Sequence, residues 1–193
     1  MEPLLVLSGP SGVGKGYLGK HLSQHYRCER LMATTTRPMR PGEVNWRDSH
    51  FISNEEFLSL ERSGAMFMCN HFFDVWYGFE YAVLEGIYAR GNTPIAEIYT
   101  PTIAKFLLDF PNAHTVFLMP SSTELLRERM HEREQDNDSI DYRLQKAEEE
   151  MDSFRTGGHE YYQHCYTVTA DNFDSIVADL VNNCHLRKRN ETL

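Results

Sequence analysis

The chain has 193 residues, of which 41% are hydrophobic and 12% aromatic, and this is enough to build the core of one globular domain. Its formal net charge of −9 disfavours generic binding to nucleic acid, so any phosphate chemistry must depend on a local cluster of Arg and Lys. No apolar run approaches the ~20 residues of a membrane span, and the four cysteines lack the spacing of a zinc site or disulfide framework, so we expect a cytoplasmic protein.

The first candidate site is a glycine-rich turn between a predicted strand and a predicted helix. The apolar run 4–7 is typical of a buried parallel strand, and Leu18, Leu22 and Tyr26 recur at the spacing of a helical face. Between them lies the pattern G-x-x-x-x-G-K, whose candidate phosphate-binding residues are Gly9, Ser11, Gly12, Val13, Gly14, Lys15 and Gly16. Glycines let backbone N–H groups turn toward an anion, and the lysine adds positive charge at the outer phosphates. In this context the pattern predicts an ATP-binding loop, and a purely structural turn is the alternative.

The position after the lysine departs from the usual pattern. Most such loops have Ser or Thr there, whose hydroxyl ligates Mg²⁺, whereas this chain has Gly16 followed by Tyr17. Because Mg²⁺ keeps several waters and phosphate oxygens as ligands, we still expect Mg²⁺ to accompany ATP, without direct ligation from the loop.

A second cationic segment lies beyond the first helix, in residues 35–44. Arg37 and Arg40 stand three residues apart in a loop stiffened by two prolines and a glycine. This arrangement suits a second phosphate group, and a solvated turn is the alternative.

The next elements are a short helix, an aromatic stretch and a second helix. Ser53 and Glu56 have the spacing of a capping box, and Gly64 is the expected end of that helix. The aromatic residues between 67 and 81 predict a small sheet, and the same residues offer an aromatic wall for a pocket. A helix is expected over 80–89.

Strands and helices alternate through the rest of the chain. Strands are predicted at 93–99, 114–119 and 166–169, and helices at 100–108, from Ser121 onward, at 139–151 and at 171–184, with a frayed basic tail after 184. Glu97 falls near the C-terminal end of its strand, which in a parallel sheet is the edge where ligands bind. The alternation predicts a three-layer α/β fold around a parallel sheet.

The threonine–arginine loop combined with this phosphate-binding loop resembles guanylate kinase, and the resemblance covers nearly the whole chain. It rests on the residues T-T-R-x-x-R-x-G-E-V at 35–44, G-P-S-G-V-G-K at 9–15, Tyr77-Gly78, Pro120-Ser121, Arg129, Arg133, Arg143 and Ala170-Asp171. It implies a core with an acceptor-binding insertion at about 33–90 and a helical lid at about 130–150. It also implies that ATP lies on the phosphate-binding loop and near Arg129.

The resemblance assigns further roles. Arg37, Arg40 and Tyr77 would hold the acceptor phosphate. Lys15, Arg133 and Arg143 would supply catalytic positive charge as the phosphoryl group transfers. Surface charges on a solvated helix are the alternative for the two lid arginines.

The chain departs from the family where guanylate kinases read the guanine ring. Ala33, Met68 and Phe79 replace a serine, a glutamate and a second serine. Ser49 replaces a tyrosine that shares the acceptor phosphate, and an acidic pair after the second core strand becomes Glu97 and Tyr99. Glu97 either orients metal-bound water or pairs structurally.

These residues predict an ATP-dependent phosphotransferase that acts on a small phosphorylated acceptor, with GMP not the preferred substrate. The leading acceptor is a different or modified nucleoside monophosphate, stacked near Phe72, Trp76 and Phe79. A sugar phosphate, as in ribose-bisphosphate kinases, is the second hypothesis. The third is a non-catalytic scaffold module that binds a phosphorylated partner, and the oligomeric state stays open.

Overall fold

The structure, a computed structural model, describes residues 4–72, 74–131 and 137–189, without the side chains of 72 and 137–139. The strands are β1 (Leu5–Ser8), β2 (Cys28–Arg30), β3 (Thr34–Thr35), β4 (His50–Phe51), β5 (Met66–Phe72), β6 (Val75–Glu80), β7 (Thr93–Glu97), β8 (His114–Pro120) and β9 (His164–Val168). The helices are α1 (Lys15–His25), α2 (Asn54–Arg62), α3 (Tyr81–Ala89), α4 (Ile103–Asp109), α5 (Thr123–His131), α6 (Asn137–Arg155) and α7 (Phe173–Asn183). Two 3₁₀ turns cover Thr100–Thr102 and Gly158–Tyr161.

The main sheet confirms the predicted α/β class. Its five strands run parallel in the order β2-β7-β1-β8-β9, so the first strand lies at the centre. Alternate residues of β1 pack into two cores: Leu5 and Leu7 join side chains of α1, α5, α6 and α7, while Val6 joins α3 and α4 on the other face. Helices therefore cover both faces, and the C-terminal ends of β1 and β7 meet at one edge.

A second sheet forms within residues 34–80, with strand order β4-β3-β6-β5. The antiparallel pair β5–β6 shifts register between Phe67 and Asn70, and Met68 has a φ of 52°. The Asn70 side-chain amide donates to the carbonyl of Met68 at 2.8 Å. The strand therefore bulges at Met68, and such bulges re-aim side chains.

The expected N-terminal cap is confirmed at α2 but not at α5. The capping box of α2 is confirmed: Ser53 accepts from the backbone N–H of Glu56, and the Glu56 carboxylate accepts in return. At α5, by contrast, the expected cap Ser121 is wrong, because the hydroxyl of Ser122 accepts from the N–H of Leu125 at 3.2 Å.

The prediction of a frayed tail after residue 184 is wrong for the described residues, which end at 189. The backbone N–H of Arg27 donates to the carbonyl of Arg187 at 2.7 Å, and that of Arg189 donates to His25 at 3.1 Å. Leu186 is buried against the main core. Backbone pairing and one apolar anchor therefore hold this segment against the end of α1. Within the described residues, no helix has the length and apolar character needed to span a membrane.

A buried carboxylate fixes the C-terminal part of α6. Glu150 is 6% exposed, and its Oε1 accepts from the Thr100 hydroxyl at 2.6 Å and from the Thr100 N–H at 3.3 Å. The helix is thus hydrogen-bonded to the chain directly beyond β7.

Candidate active site

The glycine-rich loop lies between β1 and α1, as predicted, and its backbone requires glycine at two positions. Gly9 has a φ of 132°, and a Cβ built on it would lie 2.3 Å from the carbonyl oxygen of Leu118. Gly14 has a φ of 118° and stands directly before the first residue of α1. These conformations are strained for other residues, so the loop geometry depends on glycine.

Two cations hold the carbonyl groups of this loop. The Lys15 ammonium donates to the carbonyl of Gly9 and, at 3.1 Å, to that of Pro10. On the other side, the Arg129 guanidinium of α5 donates to the carbonyl of Val13 at 2.8 Å. A bound phosphate would offer Lys15 stronger, charged partners than these carbonyls, so we expect its ammonium to exchange them when a nucleotide binds.

A cavity of about 320 Å³ opens on one side of the loop. We call it the donor cavity, because it borders the loop that is predicted to bind the phosphoryl donor ATP. It is lined by Gly12, Val13, Gly14, Tyr17, Leu18, Leu118, Arg129, Val168, Thr169, Ala170, Phe173 and Ile176. Four of these residues, Gly12, Val13, Gly14 and Arg129, belong to the predicted ATP-binding set. The cavity therefore borders the loop, α1, α5 and α7 at the C-terminal edge of the sheet.

A phosphate cavity of about 370 Å³ opens on the other side of the loop. It is lined by Ser11, Gly12, Gly14, Lys15, Gly16, Arg30, Arg37, Arg40, Glu43, Asp48, Ser49 and Glu97. The structure thus brings the glycine-rich loop of residues 9–16 together with the threonine–arginine loop of residues 35–44. Four lysine and arginine residues around one space make it suitable for phosphate groups.

Arg37 is held firmly in this cavity. Its guanidinium donates to both carboxylate oxygens of Glu43 at 2.7 Å each, and to the carbonyl of Pro38 at 2.9 Å. Hydrogen bonding from Arg37 and from the N–H of Arg40 lowers the pKa of Glu43 to about 2. The pair stays ionised at neutral pH and fixes the arginine before any ligand binds.

A third cavity has a volume of about 600 Å³, and we call it the ring cavity because aromatic side chains line it. It adjoins the phosphate cavity, since Glu97 lines both. It is lined by Ala33, Met68, Asn70, Tyr77, Gly78, Phe79, Glu97, Tyr99, Tyr142 and Lys146. Eight of the predicted acceptor residues line one of the two cavities: Arg37, Arg40 and Ser49 the phosphate cavity, Met68, Tyr77, Phe79 and Tyr99 the ring cavity, and Glu97 both.

The chain has recognisable relatives among proteins of known family. A family model described as guanylate kinase matches residues 1–185. The chain belongs to the guanylate kinase family. It is 33% identical over 179 residues to a guanylate kinase from Legionella pneumophila (strain Paris), covering 92% of this chain and 82% of that protein. It is 36% identical over 150 residues to a guanylate kinase from a Nostoc species, covering 77% and 75%.

The fold of this family member agrees with a solved relative. The crystal structure of guanylate kinase from Anaplasma phagocytophilum superposes with a TM-score of 0.71 at 25% identity, covering 95% of this chain and 85% of that one. Membership confirms the predicted family and makes the chain a kinase, a nucleotide-binding phosphotransferase of the P-loop type.

The ring cavity is apolar at the positions where the family resemblance implies residues that hydrogen-bond to guanine. Met68 and Phe79 are buried, at 4% and 7% exposed, and Phe79 stacks on Phe67 with ring centroids 5.5 Å apart. Burial raises the pKa of Tyr99, with Glu150 adding to the shift, so its hydroxyl stays protonated at neutral pH.

One part of the predicted aromatic wall is wrong. Trp76 packs against Phe57 and His71, with ring centroids 5.6 and 4.3 Å apart, and does not line the cavity. Alternation along β6 explains this, because Trp76 and the cavity residue Tyr77 point to opposite faces of the sheet. The side chain of Phe72 lies outside the described part of the chain.

The structure describes one of the two predicted lid arginines. Arg143 lies in α6, half-buried, and is absent from the linings of the phosphate and ring cavities as the described residues form them. Arg133 falls outside the described residues.

Sequence reasoning missed several residues of this family member's cavities. Tyr142 and Lys146 of α6 line the ring cavity, and Tyr17 and Phe173 line the donor cavity. The i, i+4 spacing of Tyr142 and Lys146 marks a shared helix face, but only the fold shows that this face meets β6. Tyr17 was visible as the unusual residue after Gly16.

Glu97 places a carboxylate beside the glycine-rich loop. Its Oε1 lies 3.9 Å from where a Cβ on Gly16 would be, and 3.8 Å from the Nε of Arg30. Carboxylate oxygens suit Mg²⁺, which usually takes only one or two of them together with phosphate oxygens and water. The donor set therefore fits Mg²⁺ even though Gly16 has no hydroxyl.

Proposed function

We propose that this chain transfers the γ-phosphoryl group of ATP to a nucleoside monophosphate, and that the base of its preferred acceptor is not guanine. The observation that carries the proposal is the junction of the two cavities at Glu97. On one side the glycine-rich loop and two arginines surround a space suited to phosphates. On the other side lies a space of the size of a nucleoside, lined largely by apolar and aromatic side chains.

The transfer itself needs positioning and positive charge more than a covalent nucleophile. An oxygen of the acceptor phosphate attacks the γ-phosphorus, the bond from that phosphorus to the β,γ-bridging oxygen breaks, and ADP leaves. Lys15 meets the donor phosphates from the loop, while Arg37 and Arg40 meet the acceptor phosphate from the opposite wall. When bound, Mg²⁺ would neutralise charge on the donor phosphates, and Glu97 would hold it, directly or through water.

The identity of the ring-cavity residues supports an acceptor other than GMP. The N1–H and exocyclic amine of guanine are donors that require buried acceptors. At the position where the family resemblance places a glutamate, Met68 offers no oxygen, and each unpaired donor costs about 1–3 kcal/mol. Two unpaired donors would therefore lower the preference for guanine by about 30- to 10⁴-fold. A base bound by stacking on Phe79 and the tyrosines avoids this cost.

The two alternative functions make different demands on the site. A sugar phosphate would fill the phosphate cavity but leave the aromatic ring cavity without a partner, which favours a nucleotide. A scaffold module would bind a phosphorylated partner at Arg37 and Arg40 without needing the glycine-rich loop, yet Gly9, Gly14 and Lys15 retain the geometry of a nucleotide site.

The test is ADP release with ATP, Mg²⁺ and a panel of acceptors: GMP, IMP, AMP, CMP, UMP, dTMP and ribose 5-phosphate. We expect a nucleoside monophosphate other than GMP to have the highest kcat/KM, with GMP at least about 30-fold below it. The highest kcat/KM for GMP would refute the acceptor assignment, and for ribose 5-phosphate it would establish the sugar-phosphate alternative. If none of these acceptors supports ADP release and ATP does not raise Tm, the result would support the scaffold.

A matched variant separates the ring cavity from the phosphate cavity. Met68→Glu restores a carboxylate beside the ring, so we expect GMP to gain relative to the best acceptor. Met68→Gln, which offers a carbonyl but no charge, should give a smaller gain. An unchanged acceptor ratio in both variants would show that Met68 does not contact the base.

A further inference from the structure

Tyr17 is an exposed aromatic residue at the entrance of the donor cavity. It stands in the first turn of α1, two residues after Lys15, and is 60% exposed. The buried residues of α1 are Leu18, Gly19 and Leu22, so Tyr17 does not belong to the face that packs on the sheet. Packing in the hydrophobic core therefore does not explain why an aromatic residue stands at this position.

The ring of Phe173, which also lines the donor cavity, packs against the ring of Tyr17. Phe173, the first residue of α7, lies with its ring centroid 4.7 Å from that of Tyr17, at an interplanar angle of 58°. The His21 ring packs edge-on against Phe173 at 5.1 Å. The position of Phe173 is thus fixed by contacts from one turn further along α1, and the Tyr17–Phe173 pair forms an aromatic edge to the donor cavity.

The rest of the donor cavity offers few side chains that can read the edge of a base. Beyond Tyr17, its polar side chains are Arg129 and Thr169, and the guanidinium of Arg129 already donates to the carbonyl of Val13. Apart from Phe173, the remaining lining is glycine, alanine and aliphatic residues. Ring faces are therefore the main recognition surface available to a planar base here.

We propose that Tyr17 and Phe173 form a stacking surface for the base of the donor nucleotide. The inference rests on the proposed function, because it assumes that the donor phosphates occupy the adjoining glycine-rich loop. It assigns Tyr17, the second residue after Lys15, a role in donor affinity. Stacking uses the face of a base, so the contribution should be similar for every nucleoside triphosphate.

The experiment compares a ligand that has a base with one that has phosphates alone. Dissociation constants for Mg·ATP, Mg·GTP and Mg·tripolyphosphate are measured by calorimetry on the wild type, Tyr17→Ala and Tyr17→Phe, with Tyr161→Ala as a control. Tyr161 is also an exposed tyrosine and lies away from the donor cavity.

We expect Tyr17→Ala to weaken ATP and GTP by the same factor, about 10-fold, and to leave tripolyphosphate unchanged. Tyr17→Phe, which keeps the ring, should match the wild type, as should Tyr161→Ala. In turnover assays, Tyr17→Ala should raise the KM for ATP with little change in kcat.

Two outcomes would overturn the proposal. Equal weakening of ATP and tripolyphosphate by Tyr17→Ala would mean that the substitution disturbs the loop, and unchanged ATP affinity would mean that the ring makes no contact. In both cases tripolyphosphate binding to the wild type leaves the donor site itself in place. A wild type that binds neither ligand would overturn the proposed function and this inference together.

Discussion

Replacing Arg37 by Ala tests how the acceptor phosphate is held, and the structure gives the substitution two separate effects. The guanidinium of Arg37 lines the phosphate cavity while it pairs with both oxygens of Glu43 at 2.7 Å. Its removal takes away one attraction for the phosphate. It also leaves the carboxylate of Glu43, another lining residue of the same cavity, without its main counter-charge.

The two effects can be sized separately. A hydrogen bond from a charged donor contributes about 1.5–3 kcal/mol. Repulsion between the Glu43 carboxylate and the acceptor phosphate adds about 1 kcal/mol at the effective dielectric of a partly exposed site. We therefore expect Arg37→Ala to lower kcat/KM for the acceptor by about 100- to 1000-fold, because each 1.36 kcal/mol is a factor of ten.

The double variant Arg37→Ala/Glu43→Gln isolates the repulsion. With the negative charge removed, about 5-fold of the lost kcat/KM should return. The assay is steady-state ADP release with the acceptor varied at saturating ATP, and then with ATP varied at saturating acceptor. Arg155→Ala, which removes an exposed arginine of α6 paired with Asp152, serves as the control.

Two results would refute this reasoning. A double variant that is no better than Arg37→Ala would show that the Glu43 carboxylate does not oppose the acceptor. An increase in the KM for ATP as large as that for the acceptor would show that Arg37 does not separate the acceptor site from the donor site.

Three further predictions concern the loops themselves. Lys15→Met should reduce ADP release at least about 10³-fold while shifting Tm by less than about 2 °C, because the Lys15 ammonium donates to carbonyls of its own loop, and retained turnover would exclude Lys15 from the chemistry. Gly9→Ala should lower the free energy of unfolding in urea by about 2–4 kcal/mol, because its Cβ would meet the Leu118 carbonyl at 2.3 Å; a smaller loss would mean that the loop shifts easily. Glu43→Gln should destabilise by about 1 kcal/mol at pH 7, as measured by urea unfolding. The pKa of Glu43 falls from 4.5 to about 2 on folding, so its contribution to the free energy of unfolding is complete above pH 4.5 and is lost as the pH falls toward 2. The free energies of unfolding of the variant and the wild type should therefore converge on acidification. A difference that stays constant with pH would contradict the ion pair.

Elements that depend on a few neighbouring residues could be predicted from the sequence. The glycine-rich loop, the capping box at Ser53 and the ending of α3 before Gly91 each follow from a few neighbouring residues, and the structure has them as expected. The parallel sheet follows from the alternation of apolar strands with helices. Strand ends differ by one or two residues, as at β7, which stops at Glu97 and not at Tyr99.

The contacts that the sequence did not determine are those between distant segments. The Arg37–Glu43 pair is local, but its meeting with Lys15 in one cavity depends on how the second sheet stands beside β1. Trp76 was placed in the pocket because its neighbours are aromatic, whereas the register of β6 turns it toward Phe57. Tyr142 and Lys146 belong to the ring cavity only because α6 packs across that end of the sheet.

The hydrogen bond between Glu150 and Thr100 has a consequence for any rearrangement of α6 during turnover. A rigid helix that rotates about this contact displaces each residue in proportion to its distance from it. Arg143 lies seven residues before Glu150, about 10 Å along the axis, whereas Asn137 at the start of α6 lies about 20 Å away. Arg143 therefore travels only about half as far as the helix start for a given rotation. If Arg143 is to act on the phosphates, as the family resemblance implies, α6 would have to turn through a larger angle than it would if it were held farther from Arg143.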